Sequence, residues 1–288
     1  MKWLVTMAGA AVVLIILRDV FHTLWHPTRH GGLSRIIMTG LWRLSSRLSP
    51  GWRAAGLAGP LGMVTVVVIW AGSVALGWAL IYWPHMPQGF TFSSALEPTG
   101  HSGPVDAFYV SLVILATLGL GDIAPADSWL RIVAPVEALV GFALLTATVS
   151  WILGIYPALA RRRTLALRIA HLRRASPAAG RLNSSAGAAV LDGLAADVAR
   201  TCVDFLQYAE SYYFHDGHDD TSLALNVAYA WEVADRARRA PHADAAVPAA
   251  ALTAALEDLA DILDQRFLHT AGTTLQIFRA YAQDHGRA

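Results

Sequence analysis

The segment at residues 117–122, Thr-Leu-Gly-Leu-Gly-Asp, combines residue types that suit the binding of a dehydrated cation. Glycine at alternate positions lets the backbone visit dihedral regions that a side chain would forbid. Such a backbone can direct a column of carbonyl oxygens at one axis, where they replace the hydration shell of a cation. Thr117 adds a hydroxyl group at one end of the column. We therefore predict that residues 117–121 bind cations mainly through backbone oxygens.

A short apolar segment directly precedes these residues and must position them. Residues 88–104 are rich in Gly, Pro, Ser and Thr, which is typical of exposed turns. Residues 105–116 are mostly apolar, but they are too few to cross a bilayer, which takes about 20 residues. Irregular backbone at membrane depth is tolerated only where protein buries it or a wet cavity adjoins it. The pattern predicts a re-entrant helix at 105–116 that leads into the loop 117–122.

The composition indicates an integral membrane protein. Of the 288 residues, 55% are hydrophobic and 15% are charged, whereas about 25% are charged in an average soluble domain. Two long apolar runs predict two membrane helices, at 61–83 and at 130–157. We call them the outer helix and the inner helix. A third helix, at 1–26, reaches spanning length if Arg18 snorkels. The alternative for this first run is a signal peptide, but no small-residue cleavage site follows it.

The distribution of basic residues predicts the orientation in the membrane. Residues 54–130 contain no lysine or arginine. Arginines flank this stretch on both sides, namely Arg18, Arg29, Arg35, Arg43, Arg47 and Arg53 before it and Arg161, Arg162, Arg163, Arg168, Arg173 and Arg174 after it. Basic residues are retained on the cytoplasmic side. We therefore expect a multi-pass protein of the plasma or inner membrane, with its N-terminus outside and its C-terminus in the cytoplasm.

Residues 27–57 are predicted to connect the first two membrane helices on the cytoplasmic side. Within this connector, residues 33–49 carry apolar side chains at helical spacing on one face and arginines near another. Two interpretations of this amphipathic helix remain open. It lies on the inner leaflet of the membrane, or it packs on protein as an ordinary connector.

The segment around the glycines resembles the pore signature of the potassium channel family. The resemblance rests on an aromatic pair that opens the pore helix, on the filter motif and on a proline shortly after it: Asp106-Ala107-Phe108-Tyr109, Thr117-Leu118-Gly119-Leu120-Gly121-Asp122 and Pro125. It covers residues 60–157, roughly a third of the chain. The fold it implies is an all-α pore domain at 58–157, with a re-entrant pore helix and a selectivity-filter loop.

The resemblance also implies roles for particular residues. The filter would consist of Thr117, Leu118, Gly119, Leu120 and Gly121, with potassium ions bound at the first four. Asp122 would lie at the outer mouth, and Gly141 would be the gating hinge of the inner helix. One loop supplies a quarter of each ring of oxygens, so a homotetramer is implied. Potassium ions, lipid and further copies of the chain are the expected partners; no cofactor and no nucleic acid is expected.

Two residues depart from the family pattern. Leu118 stands where the family usually has Val or Ile, and Leu120 stands where it usually has Tyr or Phe. A tyrosine hydroxyl can form a hydrogen bond behind the filter and leucine cannot, so a non-selective cation channel is an alternative to a potassium channel. A second alternative, from another class, is a non-conducting sensor or scaffold that works through its cytoplasmic tail. No nucleophile–base pattern predicts an enzyme.

Glu137 is a carboxylate within a predicted membrane helix, which suggests a functional residue with a buried partner. The simpler interpretation is a structural hydrogen bond from a pore-helix donor such as Ser111 or Thr117. Residues 119–124 also match the dinucleotide fingerprint G-x-G-x-x-A. That motif needs a strand before it and an amphipathic helix directly after it, and the sequence predicts neither.

The C-terminal half has the charge balance of a soluble domain. We predict a linker at 158–187 and a helical cytoplasmic domain at 188–288, with helices near 191–209, 221–239 and from 248 onward. Cys202, the single cysteine, falls on an apolar helix face and is expected in the core. His215 and His218 lie in a loop that either binds a divalent cation or is a solvated connection between helices.

Overall fold

A computed structural model describes residues 1–25, 32–48, 57–175, 184–239 and 243–287. The chain divides into two compact units, one formed by Met1–Met38 and Leu61–Leu153, the other by Thr39–Pro60 and Gly154–Ala288. The described residues are mainly helical, which confirms the predicted all-α class. Residues 27–31 and 49–56 of the predicted connector and 176–183 of the predicted linker lie outside the described part of the chain.

Among the described residues, three helices are long and apolar enough to cross a membrane: α1 (Lys2–Trp25), α3 (Ala58–Tyr82) and α5 (Leu130–Arg174). The first two pack closely through glycines, because a Cβ atom on Gly9 would lie 2.4 Å from the carbonyl oxygen of Gly77. Small residues allow this approach of membrane helices. Trp70 of α3 also donates a 2.9 Å hydrogen bond to the carboxylate of Asp19 in α1.

The region between α3 and α5 contains the pore helix and a feature that the sequence did not reveal. Helix α4 (Pro104–Leu115) is the predicted re-entrant helix, shifted by one residue. Two short strands, β1 (Phe90–Phe92) and β2 (Ile123–Pro125), pair antiparallel with Phe90 opposite Pro125. Three-residue strands carry too little periodicity to be distinguished from turns.

Helix α5 is longer than expected. The sequence analysis ended it at 157 and assigned 158–187 to a linker, but residues 158–174 are helical. A helix of 45 residues is ~68 Å long at 1.5 Å per residue, more than twice the ~30 Å of bilayer hydrocarbon. The prediction ended the helix where the apolar run ends. The Ala-, Leu- and Arg-rich sequence that follows favours helix, and Leu159, Leu165 and Ile169 are buried along it.

The described part of the second unit contains four further α-helices, α6 (Ser185–Gln207), α7 (Leu223–Arg238), α8 (Ala243–Leu263) and α9 (Thr274–Asp284). Cys202 is buried on α6, as expected, and its thiol lies against the carbonyl of Ala255 in α8. Helix α8 begins five residues before Pro248. The sequence analysis did not predict α9, although Thr273 and Gln276 form a capping box at its start.

Helix α2 (Gly32–Leu48) is the amphipathic segment of the connector. Trp42 on this helix is buried; its indole nitrogen donates a 2.9 Å hydrogen bond to Asp284, and its ring stacks on His215 at 4.4 Å. Packing on protein therefore describes this face of the helix. Ile36, on another face, is 70% exposed, and the interpretation that this helix lies on the inner leaflet of the membrane stays a prediction.

Candidate ion-conducting site

The backbone of the glycine segment alternates as its sequence predicts. Thr117 and Gly119 both have φ of +57°, and Gly121 has φ of +76°, whereas Leu118 and Leu120 between them do not have positive φ. A positive φ is uncommon for threonine and is strained for a β-branched residue. Strain of this kind is retained where the surrounding structure imposes it, and it is concentrated at functional sites. The alternation is the backbone geometry that can turn successive carbonyl groups toward one side.

The inner end of the segment is held by the C-terminus of the pore helix. The backbone nitrogen of Thr117 donates to the carbonyl oxygen of Ile114, and that of Leu118 donates to the carbonyl oxygen of Val113, both at 2.9 Å. The C-terminal end of a helix carries a partial negative charge because its last carbonyl groups are unpaired within the helix. This end of α4 therefore favours a cation near Thr117.

The outer end of the segment is held at Asp122. Its carbonyl oxygen accepts a 2.8 Å hydrogen bond from the backbone nitrogen of Ser93. Its side chain accepts a 2.6 Å hydrogen bond from the hydroxyl of Tyr109 on the pore helix. The bond from Tyr109 lowers the pKa of the Asp122 carboxyl below its ordinary value. Asp122 therefore stays negatively charged, which raises the local concentration of cations.

Glu137 joins three helices behind the segment. Its side chain is fully buried, and its two carboxylate oxygens accept 2.5 Å hydrogen bonds from Ser111 of α4 and Tyr82 of α3. The simpler of the two sequence interpretations, a hydrogen bond from Ser111, thus describes what the structure contains. The sequence analysis did not identify Tyr82 as a partner of Glu137. The two residues are 55 positions apart, and nothing in the apolar run around Tyr82 indicates which buried carboxylate its hydroxyl group contacts.

Gly141 lies where the pore helix meets α5. A Cβ atom at this position would be 2.0 Å from the carbonyl oxygen of Leu115, the last residue of α4. The helix continues without interruption through Gly141. The position therefore requires glycine for close packing, and its role as a hinge stays a prediction.

The glycine segment itself is open to its surroundings in a single chain. All residues from 117 to 121 are exposed, with Leu118 at 62% and Leu120 at 60%. Helix α5 also exposes an apolar stripe at helical spacing, formed by Ile132, Val136, Leu139, Phe142, Leu145, Val149, Ile152 and Leu153. Apolar surface of this extent marks contact with lipid or with another protein.

Two other sequence interpretations lack structural support. Within the described ranges, no group of three or more His, Cys, Asp or Glu side chains is placed to hold a metal ion, and His215 is stacked on Trp42. The dinucleotide fingerprint has the wrong context, because a helix and not a strand precedes Gly119 and the short strand β2 follows it.

Comparison with known proteins places this region in a family. Residues 63–155, which contain the glycine segment, match the family described as "Ion channel". The chain is also 28% identical over 151 residues to an uncharacterized membrane protein, YdjJ, of Bacillus subtilis, a match that covers 52% of this chain and 43% of that protein. No solved structure matches. Residues 63–155 are thus similar to an ion-channel domain, and the chain is similar to a membrane protein.

The match to the Bacillus subtilis protein spans less than half of that protein's length. The family match at residues 63–155 confirms, for the pore region, the resemblance to a channel family that the residues suggested. The ion, the number of subunits and the role of the other helices concern the whole protein and belong to the proposal that follows.

Proposed function

We propose that this protein is a passive potassium channel whose filter is the backbone of Thr117, Leu118, Gly119, Leu120 and Gly121. The observation that carries the proposal is the alternation of positive φ at residues 117, 119 and 121. Carbonyl groups that face one axis can replace the hydration shell of a potassium ion. The leucines supply no polar side-chain atoms, so binding depends on the backbone and on the Thr117 hydroxyl.

We propose that four copies of the chain surround the conduction axis. One chain contributes one loop, and a ring of carbonyl oxygens around an ion needs several. The exposed leucines of the filter and the apolar stripe on α5 are surfaces that neighbouring copies and lipid would cover. The outer strands and Asp122 face the outside in this proposal, and the N-terminus is also outside. The C-terminal helical domain is cytoplasmic and either regulates opening or stabilises the tetramer.

A non-selective cation channel is the second candidate. The observation in its favour is Leu120, which has no hydroxyl group with which to brace the filter from behind. The two candidates make different predictions for the reversal potential when potassium and sodium are on opposite sides of the membrane.

The test is the reversal potential of the purified full chain in a lipid bilayer with potassium on one side and sodium on the other. Gly119→Ala and Gly121→Ala place a Cβ atom at a positive φ and should abolish selective current. Gly72→Ala is the matched control, because its Cβ atom would meet nothing within 4 Å and its φ is ordinary. A potassium-selective reversal potential that only the first two variants abolish is the expected result.

Other outcomes separate the alternatives. A reversal potential near zero with current intact would support the non-selective channel. The absence of current from the folded full chain would favour a sensor or scaffold. Deletion of 176–288 should leave pore activity in a channel and remove the activity of a tail-driven sensor. Cross-linking of the purified protein should give a ladder that ends at four chains.

A further inference from the structure

The strand β1 is bonded to the chain immediately beyond the filter. Besides the bond from Ser93 to the carbonyl oxygen of Asp122, the hydroxyl of Thr91 donates a 3.2 Å hydrogen bond to the carbonyl oxygen of Ala124. The backbone nitrogen of Ala126 donates at 2.8 Å to the carbonyl oxygen of Gly89. We call Phe90–Phe92 together with Ser93 the outer clamp.

The filter needs an external support at this point. Gly121 precedes Asp122 and has φ of +76°, and glycine rotates readily among many backbone conformations. Leu120 has no polar atom that could fix the neighbouring peptide groups. The bond from Ser93 to Asp122 is the first backbone hydrogen bond beyond the glycines, so it limits the rotation of the peptide group between Asp122 and Ile123, directly outside the filter.

The outer clamp is itself anchored in the first unit. Phe90 is buried, and its ring meets the ring of Tyr82 edge-on at 5.7 Å. Tyr82 in turn donates to the buried carboxylate of Glu137. A continuous set of contacts therefore runs from the buried carboxylate through the rings of Tyr82 and Phe90 to the outer clamp, whose backbone bonds the outer end of the filter.

We propose that the outer clamp is a positioning element that determines cation selectivity by holding the Asp122 end of the filter. The proposal rests on the potassium-channel function proposed above. The clamp acts through the backbone, so the identity of the Ser93 side chain is unimportant and its N–H group is essential.

The test compares Ser93→Pro with Ser93→Ala in the full chain, using the reversal potential between potassium and sodium. Proline removes the N–H group, and the ratio of potassium to sodium permeability should fall about tenfold, as expected for loss of one backbone hydrogen bond. Alanine keeps the N–H group and should change the ratio by less than about twofold. Thr91→Ala, a milder change on the same strand, should give a smaller decrease in the same direction.

Unchanged selectivity in Ser93→Pro, or an equal decrease in Ser93→Ala, would overturn the clamp. Amide hydrogen exchange on the full chain tests it without any current. The Ser93 amide should exchange slowly in the unsubstituted protein, and the amides of residues 118–124 should exchange faster in Ser93→Pro only. Exchange of Ser93 at the rate of an unstructured chain would refute the clamp even if the protein conducts. Slow exchange without cation current would refute the channel function instead.

Discussion

The hydroxyl of Ser111 donates a 2.5 Å hydrogen bond to Oε1 of Glu137, and this bond ties the pore helix to the inner helix within the buried part of the first unit. The second carboxylate oxygen accepts from Tyr82 on the outer helix. One side chain therefore fixes three helices around the filter. Buried polar groups without partners are costly, so removal of the carboxylate leaves two hydroxyl groups in an unfavourable environment.

Glu137→Ala should destabilise the protein by about 1–3 kcal/mol for each hydroxyl left without a partner. Glu137→Gln keeps an oxygen acceptor and adds an amide donor, so its effect should be clearly smaller. The measurement is the midpoint of thermal unfolding in detergent. Equal midpoints for the two variants would show that the hydrogen bonds contribute nothing beyond side-chain volume.

Gly141→Ala should displace the end of the pore helix, because the added Cβ atom would lie 2.0 Å from the carbonyl oxygen of Leu115. We expect lower thermal stability together with altered ion flux. Gly72→Ala, which meets nothing within 4 Å, should be neutral or stabilising by up to about 1 kcal/mol, because alanine favours helix. If Gly141 serves only as a hinge, its substitution will alter opening kinetics and leave the unfolding midpoint unchanged.

Acidification of the outer solution should leave Asp122 charged until the pH falls below 3.8, the ordinary pKa of this side chain. The hydrogen bond from Tyr109 lowers the pKa of Asp122. The charged, bonded carboxylate is therefore fully present above the ordinary pKa, and it is lost as the pH falls through the lowered pKa. Tyr109→Phe removes the bond and should move proton inhibition of the current to higher pH. Proton inhibition with the same midpoint in both proteins would assign it to another group.

The helical domain of the second unit should lose stability in mild acid because of His285. Burial, assisted by the charge of Arg162, lowers the pKa of His285 to about 3 from 6.5. Below pH 6.5 the unfolded chain binds a proton that the folded chain does not bind. The free energy of unfolding should then decrease by up to about 1.4 kcal/mol per pH unit, and the decrease ends near the pKa of the folded state.

The single cysteine provides the measurement for this prediction. Cys202 is buried in the same unit, so its labelling by a thiol reagent after incubation in urea reports unfolding of the helical domain. His285→Gln should reduce the dependence of the urea midpoint on pH between 6.5 and 5, whereas His218→Gln, at an exposed position, should preserve it. If the urea midpoint of His285→Gln depends on pH as strongly as that of the unsubstituted protein, a group other than His285 is responsible for the loss of stability in acid.

The membrane helices, the re-entrant helix and the alternating backbone at residues 117–121 could be predicted from the amino-acid sequence. Each of these follows from local properties: an apolar run of spanning length, an apolar run too short to span, and glycine at every second position. Another local signal, the helical spacing of apolar residues, placed Cys202 in a helical core. The predicted end of α5 at residue 157 was wrong, because the helix continues through 158–174, beyond the apolar run on which the prediction rested.

Which residues hold the filter in place depends on the packing of segments that are distant in the sequence. Tyr82 and Glu137 are 55 residues apart, and the strand partners Thr91 and Ala124 are 33 apart. The sequence does not distinguish these residues from others of the same type, because a hydrogen bond between distant residues depends on how the helices pack. Packing brings these atoms within bonding distance, and the energetic cost of a buried, unpaired polar group makes the partners specific.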